Sequence, residues 1–492
     1  MQSNHIKYYE FDICVLGAGP AGTSAAIELQ KLGYNVCILE KADFPRSHVG
    51  ICFSQLIFTV VNFLGIEEAL TKSIVWERKS IHLKWQQSHI KIVEQLGIHV
   101  DRGILDQELL KLAQSHGATI YQPISQLNVV KNQTGWMISY IYKNKQIHIR
   151  VPFVVDATGR GGTLFKKKSI KFQPNLLAIH AIWSMKNQPP TDGYMEALPD
   201  AWSWGAYLGN NKLLLSIYTD ASVLKNQKTS IESYYLDKIK QIESLSNVQL
   251  EALNSKIEVC DATSHYQENV ISDKYIKIGD AAFTVDPLSS QGVFLALSSA
   301  FCVSRVIRTI LDPTKDTSLA KTFYENLIND RVENFKERIP YEYHKVNYFA
   351  NNPFWKERSK VHKESEMAQD ISTLVCDLSQ PYIFNPGVKI TTVPILGDNY
   401  IEQSRAISLK NNRPIAFVNG VSIIEFLGNY KVNGELCYDF SEENEADKVE
   451  IIKHLIENGF LEFVIKNTQK KQSVNSNLGS LLEKNINNHI NI

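Results

Sequence analysis

At 492 residues the chain is longer than one hydrophobic core supports, so two or three domains are expected, and 44% apolar residues is ample for ordinary cores. Lysine plus arginine equals aspartate plus glutamate at 52 each, a balance that gives no field to select nucleic acid, an acidic membrane or a cationic partner. Seven cysteines (14, 37, 52, 260, 302, 376 and 437) show no paired spacing, and their odd count argues against a secreted disulfide framework. The N-terminus, MQSNHIKYYE, lacks the apolar core of a signal peptide, and no run of about eighteen apolar residues is read along the chain, so a soluble cytoplasmic protein without a membrane span is expected.

The first element is decisive. Phe11 to Leu16 is an apolar run suited to a buried parallel strand, and it feeds directly into Gly17-Ala18-Gly19-Pro20-Ala21-Gly22. Small and straight-chained residues from Ala21 to Leu32 predict a helix, Gly33 stops it, and Asn35 to Leu39 is a second strand closed by Glu40 and Lys41. The spacing has a mechanism. Gly17 allows the tight turn, Gly19 lets the backbone approach a pyrophosphate, and Gly22 lets the helix pack on the strand. The phosphates would sit at the helix N-terminus, and Glu40 would accept both ribose hydroxyls of an adenosine. A dinucleotide site follows; its identity as FAD or NAD does not.

Pro45, Arg46 and Gly50 then make a loop across the mouth of this domain, with His48 a surface histidine and a helix following to about Leu64. Arg46 is a solvated loop charge or a clamp on the adenosine half of a cofactor. Alternation from Lys79 to Trp85 and at Ile90 and Val93 suggests a hairpin of an inserted element. Asp106 is expected to cap a helix whose apolar face is Leu109, Leu110 and Leu112, with Arg102 just before it, either in a salt bridge or facing a pyrophosphate. A strand near Ala118 to Tyr121, a hairpin from Trp136 to Arg150, and a buried strand ending in Asp156-Ala157-Thr158-Gly159 come next. That small-residue turn permits close approach of a cofactor. Lys166 to Lys168 is a solvated run.

From Lys171 to Tyr218 aromatic-rich alternating strands predict an antiparallel sheet, with Trp202, Trp204 and Tyr207 either walling a pocket or lying on a sheet surface. The second decisive stretch runs from Lys274 to Ile307. A strand delivers Gly279-Asp280, an irregular loop holds Asp286 to Gln291, and Gly292 opens a helix of about eighteen residues. Asp280 can accept from a polyol hydroxyl, the free N–H groups around Gly292 and Val293 can hold an anionic ring edge, and Pro287 would keep the loop near the ring face. Residues 312–380 read as helices with an aromatic cluster. After a linker and strand from Pro381 to Pro394, a strand, a helix at Ser422 to Leu427, a helix at Glu445 to Asn458 and a last strand resemble a winged-helix module. Its second helix carries Asp447, Glu450 and Glu457, so a protein or peptide contact is expected rather than DNA. The tail from Asn467 reads as disordered.

Taken together, GAGPAG with Glu40, Arg102 with Asp106, the Asp156 to Gly159 turn and GDAAFTVDPLSSQG resemble the FAD-dependent monooxygenase superfamily of the p-hydroxybenzoate hydroxylase type, over residues 8 to about 340. Within it the chain is similar to the geranylgeranyl-reductase and flavin-halogenase branch, and to flavoproteins that hydroxylate protein-bound aromatic residues. The implied fold is α/β. An FAD-binding Rossmann-like domain (8–170 and 255–340) would carry an inserted antiparallel-sheet substrate domain (171–254), a helical cap (341–380), a small C-terminal α+β winged-helix-like module (385–466) and a tail (467–492). The resemblance implies FAD held by Gly17, Gly19, Pro20, Ala21, Gly22, Glu40, Lys41, Arg46, Arg102, Gly159 and Asp280, with the ring against Pro287, Gln291, Gly292 and Val293.

The implied activity is hydroxylation of an aromatic substrate, small or borne by a peptide or protein, through a flavin hydroperoxide. There is no second glycine fingerprint, so NAD(P)H docks transiently or a separate flavin reductase supplies reduced flavin. Halogenation is the alternative, through Trp202-x-Trp204, although Ala206-Tyr207 and Gly50-Ile51 depart from the halogenase pattern. Lys79 lies in the region of a halogenase's lysine; buried it would be functional, exposed a surface charge. A prenyl reductase is less favoured, since Val49-Gly50-Ile51 lacks that branch's thiol and acid, and a non-catalytic flavoprotein is the remaining reading.

Overall fold

The computed structural model describes residues 8–46, 51–162, 169–223, 230–360, 382–410, 412–426 and 445–463. His48, Val49, Gly50, the Lys166 to Lys168 run, the cap beyond 360, Cys376, Cys437 and the 467–492 tail lie outside them. By contacts the chain forms two units, Met1–Thr317 with Tyr324–Val361, and Ser318–Phe323 with His362–Ile492.

In the first unit the apolar run becomes the strand Ile13–Leu16, every residue of it buried. It sits inside a six-stranded sheet ordered Ile271–Ser272, Tyr275–Lys277, Phe153–Asp156, Ile13–Leu16, Val36–Leu39 and Thr119–Tyr121. All but the first of these run parallel. Such a strand is covered on both faces and therefore reads as continuously apolar. The helix Pro20–Lys31 follows at once, with proline in its first turn where no N–H is needed. Strand order reverses between Ile13–Leu16 and Phe153–Asp156, the place where open α/β sheets bind ligands outside the strand C-termini. One face carries a smaller sheet (Tyr8–Glu10, Lys145–Val151, Trp136–Tyr142, Ile124–Lys131), whose Trp136, Ile138, Tyr140 and Ile149 pack with Cys14, Leu16, Cys37 and Leu39.

The aromatic strands Leu177–Met185, Gly193–Leu198, Ala201–Tyr207 and Lys212–Thr219 form the heart of a nine-stranded sheet. The strands Ile74–Lys84 and Lys91–Val100, grouped by sequence with the nucleotide domain, belong to this sheet instead. Gly193–Leu198 pairs in parallel with Ile74–Lys84, Gly193 opposite Ile81, an alignment across more than a hundred residues that local alternation cannot encode. Tyr234 and Tyr235 of the helix Ile231–Lys240 close one face of the sheet over Ile179, Tyr194, Leu213 and Leu215. The other face presents Trp202, stacked on Tyr218 at 3.8 Å between ring centres.

Two further expectations are corrected. Asp106 does not cap its helix. The helix is Arg102–Ser115, and the Asp101 carboxylate caps it by accepting from the Ile104 N–H at 3.1 Å, which leaves Asp106 one turn inside. The helix Gly292–Leu311 is long and apolar enough to cross a membrane by length and composition, contrary to the reading that no such run exists. Ser298, Ser299 and Ser304 interrupt the run to the eye but donate to their own helix's carbonyls, so the stretch behaves as apolar; about two thirds of it is buried in the fold.

The second unit is a small α+β body. Tyr382–Phe384 pairs with Leu461–Phe463, Lys389–Leu396 with Ile401–Ser408, and Phe417–Val418 with Val421–Ser422. Ile407, Ile423, Ile451, Ile452, Leu455 and Phe460 fill its core, the last four supplied by or just after the helix Glu445–Glu457 and Ile423 by the short helix Ile423–Phe426.

Candidate cofactor and substrate site

The C-terminal ends of the parallel strands bring the two glycine turns together. Gly17 has φ +101°, and a Cβ on it would lie 2.4 Å from the Ala157 carbonyl oxygen; a Cβ on Gly22 would lie 2.1 Å from the Gly17 oxygen. Only hydrogen fits at either place. Gly279 lies over the start of the Pro20–Lys31 helix, its would-be Cβ 2.8 Å from that of Ala21, and the Ile278 N–H donates to the Asp156 carbonyl at 2.9 Å. Turns more than two hundred and fifty residues apart in sequence therefore share one crevice.

At the first end of the crevice the backbone face of Gly19 is open, the nearest atom to its missing Cβ being Arg46 Nη2 at 3.8 Å. Buried Glu40 accepts from the N–H groups of Ala18 (2.7 Å) and Ala42 (2.8 Å) and from Arg46 Nη1 (3.4 Å). A carboxylate offers about four lone-pair sites, so capacity remains for a ribose hydroxyl. Arg46 also reaches Asp106 (3.6 Å), and the same Asp106 is held twice by Arg102 (3.0 and 3.1 Å). Two guanidiniums thus converge on Asp106, that of Arg46 lying beside the open glycine, and Arg46 Nε is buried there without a hydrogen-bond partner. Pro20 and Ala21 open the helix at this end, whereas Lys41 is exposed on the surface.

At the other end nothing lies within 4 Å of a Cβ placed on Gly159 or Gly292. Asp280 is partly exposed and pairs with Arg160 at 3.6 Å. Pro287 begins a short turn, Ser290 is left-handed at φ +52°, and Gln291 leaves the helix Gly292–Leu311 without a side-chain cap. The N–H groups at Gly292 and Val293 therefore lack a capping side chain, with Gly292 itself exposed. An open nucleotide cradle, a converging arginine pair, an acid midway and an uncapped helix end form a set that fits FAD.

The loop from Asp286 to Gln291 is tied to the aromatic wall through Tyr343, a member of the aromatic cluster read in the sequence, by contacts that the sequence did not show. Tyr343 donates to Asp286 at 3.1 Å and accepts from Trp202 Nε1 at 3.1 Å. Asp286 also accepts from the Leu288 N–H at 2.9 Å, holding the turn in shape. Trp85 packs edge-on against both Trp202 and Trp355. The only sequence signal was the cluster of aromatics near 341–355, which could be core or cap. Burial pushes the Asp286 carboxyl up to about 6, against the opposing pull of the Leu288 and Tyr343 hydrogen bonds. A carboxyl whose pKa is raised by folding gives its full stability below the ordinary carboxylate pKa and loses it as pH rises through about 6. The difference in unfolding free energy between the wild type and Asp286→Asn is expected to shift by up to about 3 kcal/mol between roughly pH 4 and 7. Denaturant titrations across that range check it; a flat difference refutes it.

Lys79 is exposed, and it is the backbone N–H of Lys79 that engages Asp192 at 2.7 Å. The cation turned inward is its neighbour Arg78, buried with its guanidinium 5.7 Å from the Trp204 ring. A register shift between Arg78 and Ser80 accounts for the exchange of sides, and period-two alternation could not reveal it. Trp204 Nε1 donates to Cys52 Sγ at 3.1 Å, so Trp204 and Trp202 share the face that Tyr207 does not; Tyr207 packs in the core behind.

Comparisons with known proteins bear on this site. A family model described as tryptophan halogenase matches residues 71–377, and one described as FAD binding domain matches residues 12–68. A tryptophan 2-halogenase from Chondromyces crocatus is 25% identical over 376 residues, 72% of this chain and 71% of the relative. A 1H-pyrrole-2-carbonyl-[peptidyl-carrier protein] chlorinase from Pseudomonas fluorescens is 26% identical over 381 residues, 68% of this chain and 84% of the relative. Among solved structures, the peptidyl tryptophan dihydroxylase QhpG, described as essential for tryptophylquinone cofactor biogenesis, superposes with a TM-score of 0.66 at 21% identity, covering 92% of this chain and 100% of that one.

Proposed function

Because the chain belongs to the tryptophan halogenase family, and is an FAD-dependent oxidoreductase, we propose that it halogenates an electron-rich aromatic ring. The observation that carries this reading is the extent of the family match, which takes in both the aromatic wall at 202–218 and the ring loop at 286–292. Halogenation was the alternative on sequence, and the curated relatives favour it over hydroxylation. Gly17, Gly19, Gly22, Glu40, Arg46 and Arg102 would hold the nucleotide half of FAD, and Asp280, Pro287, Gln291 and Gly292 the ring half. Bound FAD would supply the oxidising equivalent by reducing dioxygen. The chain's own part is to favour negative charge near the Gly292 helix end, exclude water with Trp85, Trp202 and Tyr218, and hold the substrate ring.

The substrate ring is proposed to be carried on a larger molecule, since one relative's name specifies a carrier-protein-borne pyrrole and the neighbouring dihydroxylase a peptidyl tryptophan. Electrons are proposed to come as reduced flavin from a separate reductase, or from NAD(P)H docking transiently. A second reading, hydroxylation, is favoured by the exposure of Lys79, which leaves no lysine at that position facing inward. The test is incubation of the FAD-loaded protein with a flavin reductase, oxygen, aromatic acceptors and either chloride or bromide. Product that gains one halogen, and switches mass when bromide replaces chloride, is expected. Gain of oxygen regardless of halide overturns halogenation in favour of the second reading.

A further inference from the structure

The sheet face that carries Trp202 and Trp204 continues across the neighbouring strands. Along the ladder Trp204 stands opposite Ser216, Ser216 opposite His180 of Leu177–Met185, and His180 opposite Glu258 of the strand Glu258–Asp261. Residues opposite each other in an antiparallel pair share a side, so these four side chains make one row of the aromatic wall, next to the row of Trp202, Tyr218 and Ala178. His180 is 9% exposed. Its Nε2 lies 3.4 Å from a carboxylate oxygen of Glu258, whereas its Nδ1 is buried and, among the described residues, has no hydrogen-bond partner. Burial holds the imidazole below its ordinary pKa against the pull of Glu258, so the ring is neutral at pH 7 and carries one proton. The carboxylate draws that proton to Nε2, and Nδ1 is left as a bare lone pair. The neighbouring donors are spent: Trp202 donates to Tyr343, Trp204 donates to Cys52, and the Ser216 hydroxyl is hydrogen-bonded with Tyr218. A buried acceptor without a donor is costly, so a donor is what this part of the wall is short of.

We infer that His180 Nδ1 is the hydrogen-bond acceptor that seats the substrate ring on this wall, taking an N–H at the ring's edge, with Glu258 fixing the orientation of the imidazole. An indole or pyrrole N–H only donates, whereas a phenol would also bring two lone pairs onto a largely apolar face. The inference rests on the proposed reading that the wall holds an aromatic ring, and it adds the residue that decides which edge of the ring is held.

The test is binding rather than turnover. Indole and its isostere benzofuran, which has a ring oxygen in place of the N–H, are titrated by calorimetry into the full, FAD-loaded chain. Wild type is expected to bind indole about 10- to 100-fold more tightly than benzofuran. His180→Leu should bring the two within about 3-fold of each other, since removing donor and acceptor together strands neither. Trp204→Leu should weaken both rings alike. The same preference for indole in wild type and His180→Leu, or no preference in wild type, overturns the role of His180 and leaves the ring site standing. Failure of both rings to bind wild type, or binding that Trp204→Leu leaves untouched, overturns the wall as the ring site and this inference with it. If His180→Leu does not fold, His180→Phe, which keeps a ring without the acceptor, takes its place, and if neither folds the wild-type preference alone decides.

Discussion

Replacing Gly22 by alanine is expected to yield a protein that loses most of its yellow colour. The added methyl would stand 2.1 Å from the Gly17 oxygen and 3.0 Å from the Ala157 Cβ, and neither atom can withdraw without dragging the end of a strand of the central sheet. The helix N-terminus must therefore move away from the glycine turn, and the N–H groups proposed to hold the pyrophosphate move with it. Overpacking of this kind costs about 1–3 kcal/mol, which corresponds to roughly 5- to 150-fold weaker FAD binding if it falls on the bound state. Flavin absorbance of the purified protein and a fluorescence titration of the apoprotein measure it. Gly161→Ala is the control, since nothing lies within 4 Å of that position and its φ is ordinary. Equal FAD retention in the two variants would mean that the first turn is not a cofactor cradle.

Arg102→Met is expected to have the largest effect on stability. It leaves the fully buried Asp106 carboxylate with only the longer contact to Arg46, at 3.6 Å, in place of two bonds near 3 Å. Removing one partner of a buried pair typically costs about 3–5 kcal/mol, most of it the penalty of the charge left behind. The double variant Arg102→Met, Asp106→Leu removes that stranded charge, so urea unfolding should return most of the lost stability. FAD affinity should stay weakened if Arg102 holds the pyrophosphate as proposed, because the double variant does not restore its guanidinium. If affinity recovers along with stability, Arg102 serves the fold alone.

These expectations differ in where their information came from. The Gly22 argument was present in the chain, because strand, glycine turn, helix and closing acid are consecutive and each fixes its own backbone locally. The same holds for Gly279-Asp280 and the helix opened by Gly292. Asp106 shows the limit: its spacing from Arg102 was visible, but two acids five residues apart compete to cap one helix, and only packing decided that Asp101 takes the end while Asp106 turns inward. Lys79 and Arg78 show it again, since a register shift of one residue exchanges the buried and exposed sides of a strand without altering composition.

What the chain determined by itself was therefore every element whose cause is local: the two glycine turns, the strands that feed them, the helices they open, and the family those motifs belong to. Tertiary structure alone decided which distant pieces became neighbours. The pairing of Ile74–Lys84 with Gly193–Leu198 and the Trp202–Tyr343–Asp286 chain of hydrogen bonds both join residues far apart in sequence. Such contacts are fixed by the shared burial of surfaces, which has no period and leaves no spacing in the chain to be read.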